Sequence, residues 1–398
     1  MSSYSAFLTL LVFVAGVSTT PNLRKANPIP ISTWRSATFK HPGILHTRSD
    51  LDRMKQMVRK GVEPWKSGFE KLKADQQSAA DWKLRGPFET VSRDPAKHEH
   101  KAEFDADCNA AYQNALMWYI TGDEAHAKKS VEILDAWSHT LKQIVRKDRE
   151  LAASLNGFKF VNAAEIMRYS YDGWKRVDIE QFKKWLLDVF YPVIKDFATF
   201  ANGNWDTGCI KTMMAIGVFL DDRRIFDRAV DYFYNGQGNG RLTHYVINEE
   251  GQCQESGRDQ QHAQLGLAHL AEACEIGWNQ GLDMYGAAGN RLLRGFEYTA
   301  KYNLGFEVPF APYTDTTGKY VHKAISTEGR GRLRAVFELV LNHYQNRKGL
   351  TAPYTKQAAE KIRPEGAADW ADHPGFGTLL FTRPAKKGRG SAVSQLVM

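Results

Sequence analysis

Residues 104–145, FDADCNAAYQNALMWYITGDEAHAKKSVEILDAWSHTLKQIV, carry the pattern that decides the fold. Residues 104–122 place apolar and small side chains at helical spacing, which predicts a long buried helix. Gly122-Asp123 interrupts this pattern, and residues 124–145 then resume helical spacing. Two helices joined by so short a break predict a helical hairpin.

The same pairing of helices with short turns continues along the chain. Gly, Asp and Pro separate the helical stretches. Strand-like alternation is scarce, and residues 242–248 and 378–383 are its best candidates. The other predicted helices span residues 49–60, 161–174, 179–190, 191–201, 207–219, 223–234, 261–277, 284–302 and 333–344.

About a dozen helices with little β structure predict an all-α protein. Consecutive helices paired as hairpins favour an (α/α) toroid, an incomplete α/α barrel, over a four-helix bundle. Periodicity by itself does not separate a toroid from an α-solenoid, but the chain lacks a fixed-period repeat of the solenoid kind. We expect a signal peptide (1–20), an irregular segment (21–40) and one toroid domain (41–398).

Charge and the N-terminus bound the partners and the location. The 398 residues carry a net charge of +8, which favours an anionic partner. Nucleic acid is disfavoured because no zinc-finger, RNP or helix-turn-helix signature is present. The short apolar run at residues 6–17 predicts a signal peptide, and no later segment has the sequence of a membrane helix. We expect a secreted monomer, extracellular or periplasmic, without a membrane partner.

Metal ions and disulfides receive little support from the sequence. Cys108, Cys209, Cys253 and Cys274 do not have the spacing of a metal site. In a secreted chain they can form up to two disulfides or remain buried thiols. His98-Glu99-His100 lies in a charged stretch and is more typical of a solvated surface than of a metal site. We expect neither a metal nor a cofactor, because no carboxylate cage has calcium-ligand spacing.

The stretch QESGRDQQH, residues 254–262, is the strongest candidate for chemistry. Arg258 and His262 are four residues apart and would share one face of a helix, with Glu255 and Asp259 on or beside it. Ser256 and Asp259 fit a capping box, but capping does not explain Arg258 or His262. A carboxylate, a guanidinium and an imidazole together can hold an acidic substrate and move a proton.

Several segments, in their order along the chain, resemble the alginate-lyase-like polysaccharide lyases. The similarity runs from about residue 42 to residue 384 and looks closer to polysaccharide lyase family 38 than to family 5. Family 5 has a paired Asn-His on one helix, whereas here Trp205 follows Asn204. The similar segments are YITGD (119–123), ILDAW (133–137), NAAEI (162–166), GNW (203–205), ExGRDxxH (255–262) and NRLLRGFEY (290–298).

The resemblance implies a toroid with a groove, β-elimination on a polyuronate, and an Asn, His, Tyr and Arg site. Asn204, in a loop before a helix starting near Thr207, would stabilise the enolate that forms when H5 leaves. One tyrosine can serve as both base and acid, or His262 and a tyrosine can share these roles, and Arg258 would bind a carboxylate. Tyr298 is the first choice of phenol, Tyr302 the second and Tyr313 an outside candidate. Candidate substrate-binding residues are Trp205, Gln254, Glu255, Arg330 and Arg332.

Two other functions stay open at this stage. A glycoside hydrolase on the same fold would need two carboxylates flanking the bond, for which Glu255, Asp259 and Asp206 are candidates. A non-catalytic protein that binds acidic glycans would keep a basic groove without turnover. The sequence does not separate mannuronate from glucuronate, because these sugars differ only at C2.

Overall fold

The computed structural model describes residues 38–369 and 372–384. The predicted signal peptide and nearly all of the irregular segment at 21–40 lie outside the described residues. Among the described residues, helices dominate and the only strands are two pairs of very short ones. The prediction of an all-α protein is confirmed.

The helices follow one another with short connections. A 3₁₀ turn covers Gln76–Ser78, and π-helical turns at Leu186–Phe190 and Asn342–Arg347 extend α6 and α13. The helices are α1 (Arg48–Arg59), α2 (Trp65–Lys73), α3 (Lys101–Thr121), α4 (Glu124–Thr140), α5 (Arg149–Ser170), α6 (Arg176–Trp185), α7 (Tyr191–Ile194), α8 (Gly203–Phe219), α9 (Arg223–Asn235), α10 (Leu242–Tyr245), α11 (Gln260–Asn279), α12 (Ala287–Asn303), α13 (Phe337–Leu341), α14 (Pro353–Ile362) and α15 (Gly377–Phe381).

Two small sheets lie at the edges of this helical body. β1 (Thr90–Ser92) pairs in parallel with β2 (Gln143–Val145). β3 (Tyr313–Thr314) and β4 (Val321–His322) form an antiparallel hairpin in which Tyr313 is opposite His322. The second sheet matters for function because it lies beside the segment that leads into α11.

Four long helices, α3, α5, α8 and α11, form an inner ring and are buried on nearly all sides. Asn156 and then Lys159 of α5 donate hydrogen bonds to Asp105 and then Asn109 of α3, in the same chain order. These two helices therefore run parallel. Their N-terminal ends lie at the same end of the ring, as an (α/α) toroid requires.

The axis of the ring is polar. Lys211 of α8 forms a fully buried ion pair with Glu272 of α11, with 2.5 Å between Nζ and Oε2. A second contact joins the same two helices nearer their N-termini: His269 of α11 lies 3.0 Å from the backbone oxygen of Asn204 of α8. The order of these contacts shows that α8 and α11 also run parallel. A buried pair of this kind is costly to break, because either partner alone would be an uncompensated charge.

The outer helices are amphipathic and cover the ring. α9 is the clearest case, since one face is buried and the rest is exposed or half-buried. Its buried residues recur at the spacing of one helical face. They are Ile225, Phe226, Ala229, Val230 and Phe233.

Both predicted strands are wrong. Residues 242–245 form α10, and residues 377–381 form α15. Leu242, Tyr245 and Val246 are buried and are also spaced as one turn of helix, so the short alternation was compatible with either structure. The run Leu379-Leu380-Phe381 is wholly buried, which removes the polar face that distinguishes a half-buried strand.

Several helix boundaries also differ from the prediction: the predicted helix 191–201 ends at Ile194, the helix predicted from 207 begins at Gly203, and those predicted from 284 and 333 begin at Ala287 and Phe337. Two further differences have a clear cause. α5 begins at Arg149 rather than 161, because Asn156 and Lys159 interrupt the apolar pattern but are buried against α3. The predicted helix 124–145 ends at Thr140, and its last residues form β2. In both places a tertiary contact outweighs the local pattern.

The four cysteines are buried and unpaired with one another, which leaves them as thiols. Burial raises the pKa of Cys108 and of Cys253 to about 12. No helix in the described part of the chain has both the length and the apolar character to cross a bilayer.

Glu365→Gln should change how the stability of the fold depends on pH. Burial, together with the charge of Glu338, raises the pKa of Glu365 to about 7, although hydrogen bonds from Thr378 oppose the shift. Between the ordinary value of 4.5 and about 7, the unfolded chain ionises first, so the wild-type loses stability as pH rises. We expect the variant to match the wild-type at about pH 4 and to exceed it by up to about 3 kcal/mol at about pH 8.

Urea unfolding at several pH values measures this difference. Glu360→Gln, which changes an exposed glutamate on α14, is the matched control and should follow the wild-type. Parallel stability curves for Glu365→Gln and the wild-type would contradict the prediction.

Candidate active site

A fully buried carboxylate, that of Glu255, organises the start of α8 and the segment before α11. The backbone and side-chain N–H groups of Asn204 donate to its two oxygens, at 2.9 and 2.7 Å. The hydroxyl of Tyr245 donates to it at 3.2 Å, and Arg258 Nη1 lies 2.7 Å away. Four donors from three segments therefore satisfy one carboxylate, as a buried charge requires.

Arg258 connects this buried carboxylate to the surface. Its side chain is 31% exposed, and its Nη2 lies 3.2 Å from His262 Nε2. Asp259 accepts from the backbone N–H of His262 at 2.8 Å and lies 2.6 Å from His262 Nδ1. Because a guanidinium only donates, Nε2 of His262 accepts from Arg258 and Nδ1 carries the proton toward Asp259.

This arrangement brings Arg258 and His262 together, but not by the predicted route. The N-cap of α11 is Asp259, so Arg258 precedes the helix and does not share a helical face with His262. The predicted capping box is wrong, since Ser256 Oγ instead accepts from the N–H of Cys253. Burial alone would raise the pKa of Asp259, but hydrogen bonds from His262 and the charge of Arg258 lower it overall.

Asn204 lies in the first turn of α8, not in a loop before the helix. Its amide is completely buried, and Nδ2 donates to Glu255. Its Oδ1 has no hydrogen-bond partner among the described residues. Asn204 therefore holds the carboxylate of Glu255, and its own amide is not accessible to solvent.

The β3–β4 hairpin adds a histidine that the sequence analysis missed. His322 packs on the turn at Gly257, where a methyl group would collide with its ring. The backbone after β4 continues along the same turn, with Ser326 N–H donating to the oxygen of Ser256 at 3.0 Å. His322 Nε2 is buried without a partner among the described residues.

Tyr313 is the cross-strand neighbour of His322. Directly opposed residues of an antiparallel pair project from the same face, with Cβ atoms about 5 Å apart. Burial lowers the pKa of His322, and the nearby charges of Glu255 and Arg258 act on it in opposite senses. Burial, followed by the charge of Asp315, raises the pKa of Tyr313. Both shifts favour the neutral forms of the two groups. The imidazole without its extra proton can act as a base, and the protonated phenol can act as an acid.

A turn signal in the sequence could have located this pair. Asp315-Thr316-Thr317-Gly318 separates the two strands, and Gly318 has φ +74°. Such a turn between short β-prone runs predicts a hairpin, which would place residue 313 opposite residue 322.

The two tyrosines preferred from the sequence lie elsewhere. Both are buried on α12, where Tyr298 donates its hydroxyl to the backbone oxygen of Pro309 at 2.7 Å. Tyr302 lies under the guanidinium of Arg330, 4.0 Å from the ring centre. No hydrogen bond between described residues links either phenol to Arg258 or His262.

The candidate substrate-binding residues divide into buried and exposed groups. Gln254 is buried and accepts from the N–H of Gly203 at 3.0 Å, so it holds the start of α8. Trp205 is half-buried and forms a T-shaped contact with the exposed Phe200. Arg330 donates to the backbone oxygens of Tyr302, in the last turn of α12, and Phe306, and it pairs with Glu307. Arg332 is largely exposed and pairs with Asp369 at 2.7 Å.

The carboxylates that a hydrolase would need are enclosed. Glu255 and Asp206 are fully buried, and Asp206 accepts from two backbone N–H groups and from Tyr232. Asp259 is buried against His262 and Arg258. None of these three carboxylates is exposed, as an acid or a base flanking a glycosidic bond would have to be. Within the described residues, no group of three or more His, Cys, Asp and Glu is placed to hold a metal ion.

Comparison with known structures supports the fold. Alginate lyase A1-III from Sphingomonas species A1 is 16% identical, with 84% of this chain and 95% of that chain covered and a TM-score of 0.59. An alginate lyase from Bacteroides ovatus is 12% identical over 86% and 99% of the two chains, with a TM-score of 0.58. A His-to-Ala variant of A1-III complexed with tetrasaccharide is 16% identical, with 88% of this chain and 98% of that chain covered and a TM-score of 0.61.

No curated protein matches the chain. The sequence model of the Alginate lyase family matches residues 69–308, which is more than half of the chain and includes Asn204, Glu255, Arg258 and His262. The chain therefore belongs to the alginate lyase family, and it is a polysaccharide lyase.

Proposed function

We propose that this lyase cleaves a β-1,4-linked polyuronate, mannuronate-rich alginate or glucuronan, by β-elimination and leaves unsaturated uronate ends. The observation that carries the proposal is the His322–Tyr313 pair beside Arg258. Their surroundings favour an unprotonated imidazole, which can act as a base, and a protonated phenol, which can act as an acid. Pairs of titratable groups pushed apart in this way are typical of acid–base sites.

Arg258 would bind the carboxylate at C5 of the sugar. Its side chain is partly exposed, and its buried end is fixed by Glu255. The enolate that forms when H5 leaves carries additional negative charge on the same carboxylate. A guanidinium held in place before the reaction stabilises that charge without reorganising. His262, itself fixed by Asp259, orients Arg258 from the exposed side and contacts the substrate next to it.

His322 would remove the C5 proton through Nδ1, since its Nε2 is enclosed, and Tyr313 would protonate the departing O4. In β-D-mannuronate and β-D-glucuronate, H5 and O4 lie on the same side of the ring, so the base and the acid must share one face. Cross-strand neighbours satisfy this requirement. The role first assigned to Tyr298 passes to Tyr313, because the Tyr298 hydroxyl is bound to Pro309.

Asn204 would act as a positioning residue. It contributes two hydrogen bonds to Glu255, and Glu255 in turn holds Arg258. The arrangement differs from a direct amide contact with the enolate, which would need Nδ2 turned toward the substrate. The non-catalytic alternative has no observation in its favour, since a binding groove alone does not require an acid and a base side by side.

Assays on mannuronate-rich alginate, guluronate-rich alginate, glucuronan and hyaluronan test the function directly. An ultraviolet-absorbing unsaturated product from alginate or glucuronan is the expected result. Reducing ends without that absorbance would indicate hydrolysis and refute the proposal. We also propose secretion, supported by the apolar run at residues 6–17, and fractionation of cells expressing the full chain measures it.

Tyr313→Phe should lower kcat by about 10²–10⁴, the usual contribution of a general acid. The ring and its packing are kept, so only the hydroxyl is tested. Tyr298→Phe is the matched control: it should keep near-normal turnover and lose about 1 kcal/mol of stability with its bond to Pro309. Initial rates and thermal unfolding measure both. The reverse result, an inactive Tyr298→Phe and an active Tyr313→Phe, would return the acid role to Tyr298.

The acid side of the pH–rate profile should report His322. Its imidazole must be unprotonated to act as base, and burial lowers its pKa below the ordinary 6.5. On this limb, kcat/KM should therefore be above half of its maximum at pH 6.5, and its midpoint should lie at lower pH. His322→Gln should lower kcat/KM by about 10²–10⁴ and abolish that limb. An unchanged limb in His322→Gln, with His262→Gln removing it, would make His262 the base.

A further inference from the structure

The loop between α9 and α10 has the sequence GQGNGR, residues 236–241. Asn239, in the middle of this loop, is completely buried. A buried amide needs acceptors for its two N–H bonds and donors for its oxygen, which can accept twice. The partners of Asn239 therefore show which parts of the molecule the loop joins.

Asn239 uses its whole hydrogen-bonding capacity. Its Nδ2 donates to the backbone oxygen of Ala201 at 2.8 Å and to Oδ2 of Asp315 at 2.7 Å. Its Oδ1 accepts from the backbone N–H of Thr316 at 3.2 Å and from the hydroxyl of the same residue at 2.9 Å. Three of the four bonds reach the turn of the β3–β4 hairpin, and the fourth reaches the segment just before α8.

The loop itself is packed on the first turn of α8. Asp206 of α8 accepts from the N–H of Gly240 at 2.8 Å. A methyl group on Gly238 would lie 2.4 Å from Oδ2 of Asp206, and one on Gly240 would lie 2.7 Å from its Cβ. Only glycine permits so close an approach on either side of Asn239. The backbone of Asn239 is therefore fixed relative to α8.

The carboxylate of Asp315 organises the hairpin turn from within. It accepts from the N–H of Tyr320 at 3.0 Å and from the hydroxyl of Thr317 at 2.7 Å. Tyr313 lies two residues before Asp315, and His322 is the cross-strand neighbour of Tyr313. Two residues of a strand span about 7 Å, so a shift of the turn would move both side chains of the acid–base pair.

A second buried amide holds the other end of β3. Gln252 donates its Nε2 to the backbone oxygen of Ala311 at 2.8 Å and accepts from the N–H of the same residue at 2.8 Å. Tyr313 lies midway between Ala311 and Asp315. An isolated two-stranded hairpin is only marginally stable, so these contacts with the helical body determine where the phenol lies.

We propose that Asn239 is a positioning residue, which fixes the hairpin with Tyr313 and His322 by bonding its turn to the start of α8. Its part in catalysis rests on the proposed function. The same first turn of α8 also positions Arg258, because Asn204 bonds the carboxylate that holds this guanidinium. A common support therefore sets the distance between the acid–base pair and the group that binds the sugar carboxylate.

Asn239→Asp tests this role, because a carboxylate of the same shape does not donate to Asp315 and repels it. On the polymer that the wild-type cleaves, kcat should fall by about 10²-fold, as expected for reacting groups displaced by about 1 Å. KM should change little, since Arg258 is held by other residues. Asn279→Asp, which alters a buried amide of α11 bonded to the backbone oxygen of Ile44, is the matched control and should keep the wild-type kcat.

Two further variants separate positioning from a general loss of stability. Asn239→Asp combined with Asp315→Asn exchanges donor and acceptor, and it should recover about tenfold of the lost kcat, the effect of one restored hydrogen bond to a charged group. Thr316→Val, on the exposed side of the turn, removes one bond to Asn239 without burying a charge. It should lower kcat by a smaller factor, and it tests the proposal even if Asn239→Asp does not fold.

Hydrogen exchange of residues 311–326 tests the positioning without turnover and should be faster in Asn239→Asp but not in Asn279→Asp. If the wild-type forms unsaturated product, an unchanged kcat in Asn239→Asp and Thr316→Val, or an equal loss in Asn279→Asp, overturns the positioning role and keeps the lyase. If the wild-type forms no such product, the proposed function fails and exchange decides: faster exchange confined to 311–326 still supports the positioning, and unchanged exchange overturns it.

Discussion

The buried carboxylate of Glu255 is the interaction on which the site depends. It joins the first turn of α8 through Asn204, the short helix α10 through Tyr245, and the segment before α11 through Arg258. A carboxylate without solvent is tolerated only when its oxygens are fully satisfied, and here four donors converge on it. Removing any one of them leaves an unpaired buried group, so the position of Arg258 is coupled to the packing of three separate segments.

The inner ring explains why the chemistry gathers at one end. Thr212 and then Phe219 of α8 contact Ser154 and then Arg168 of α5, so α5 and α8 run parallel, as do α3 with α5 and α8 with α11. The starts of the four helices therefore lie at one end, where the helix dipoles give positive potential. An anionic polymer is favoured at that end, and the Arg258 cluster is found there. The buried Lys211–Glu272 ion pair fixes the register of α8 against α11, because a shift of either helix along the other would break it.

Much of the fold was readable from the chain. The helical spacing of residues 104–122 and the break at Gly122-Asp123 correspond closely to α3 and the start of α4. The prediction of α5 was wrong where polar residues are buried, as at Asn156 and Lys159, because hydrophobic periodicity assigns polar residues to the protein surface. The strand prediction was wrong where an apolar run is too short to show its period, as at residues 242–248.

The sequence by itself determined the helical hairpins, the family resemblance and the grouping of Arg258, Asp259 and His262, because these rest on periodicity and on residues close together in the chain. Only the tertiary structure decided that Arg258 stands before the helix, that Asn204 faces Glu255, and that Tyr298 is occupied by Pro309. It also brought His322 to the turn at Gly257 from more than sixty residues away. Contacts at that separation depend on how whole elements pack, and burial, which sets the pKa of His322 and of Tyr313, exists only once they have packed.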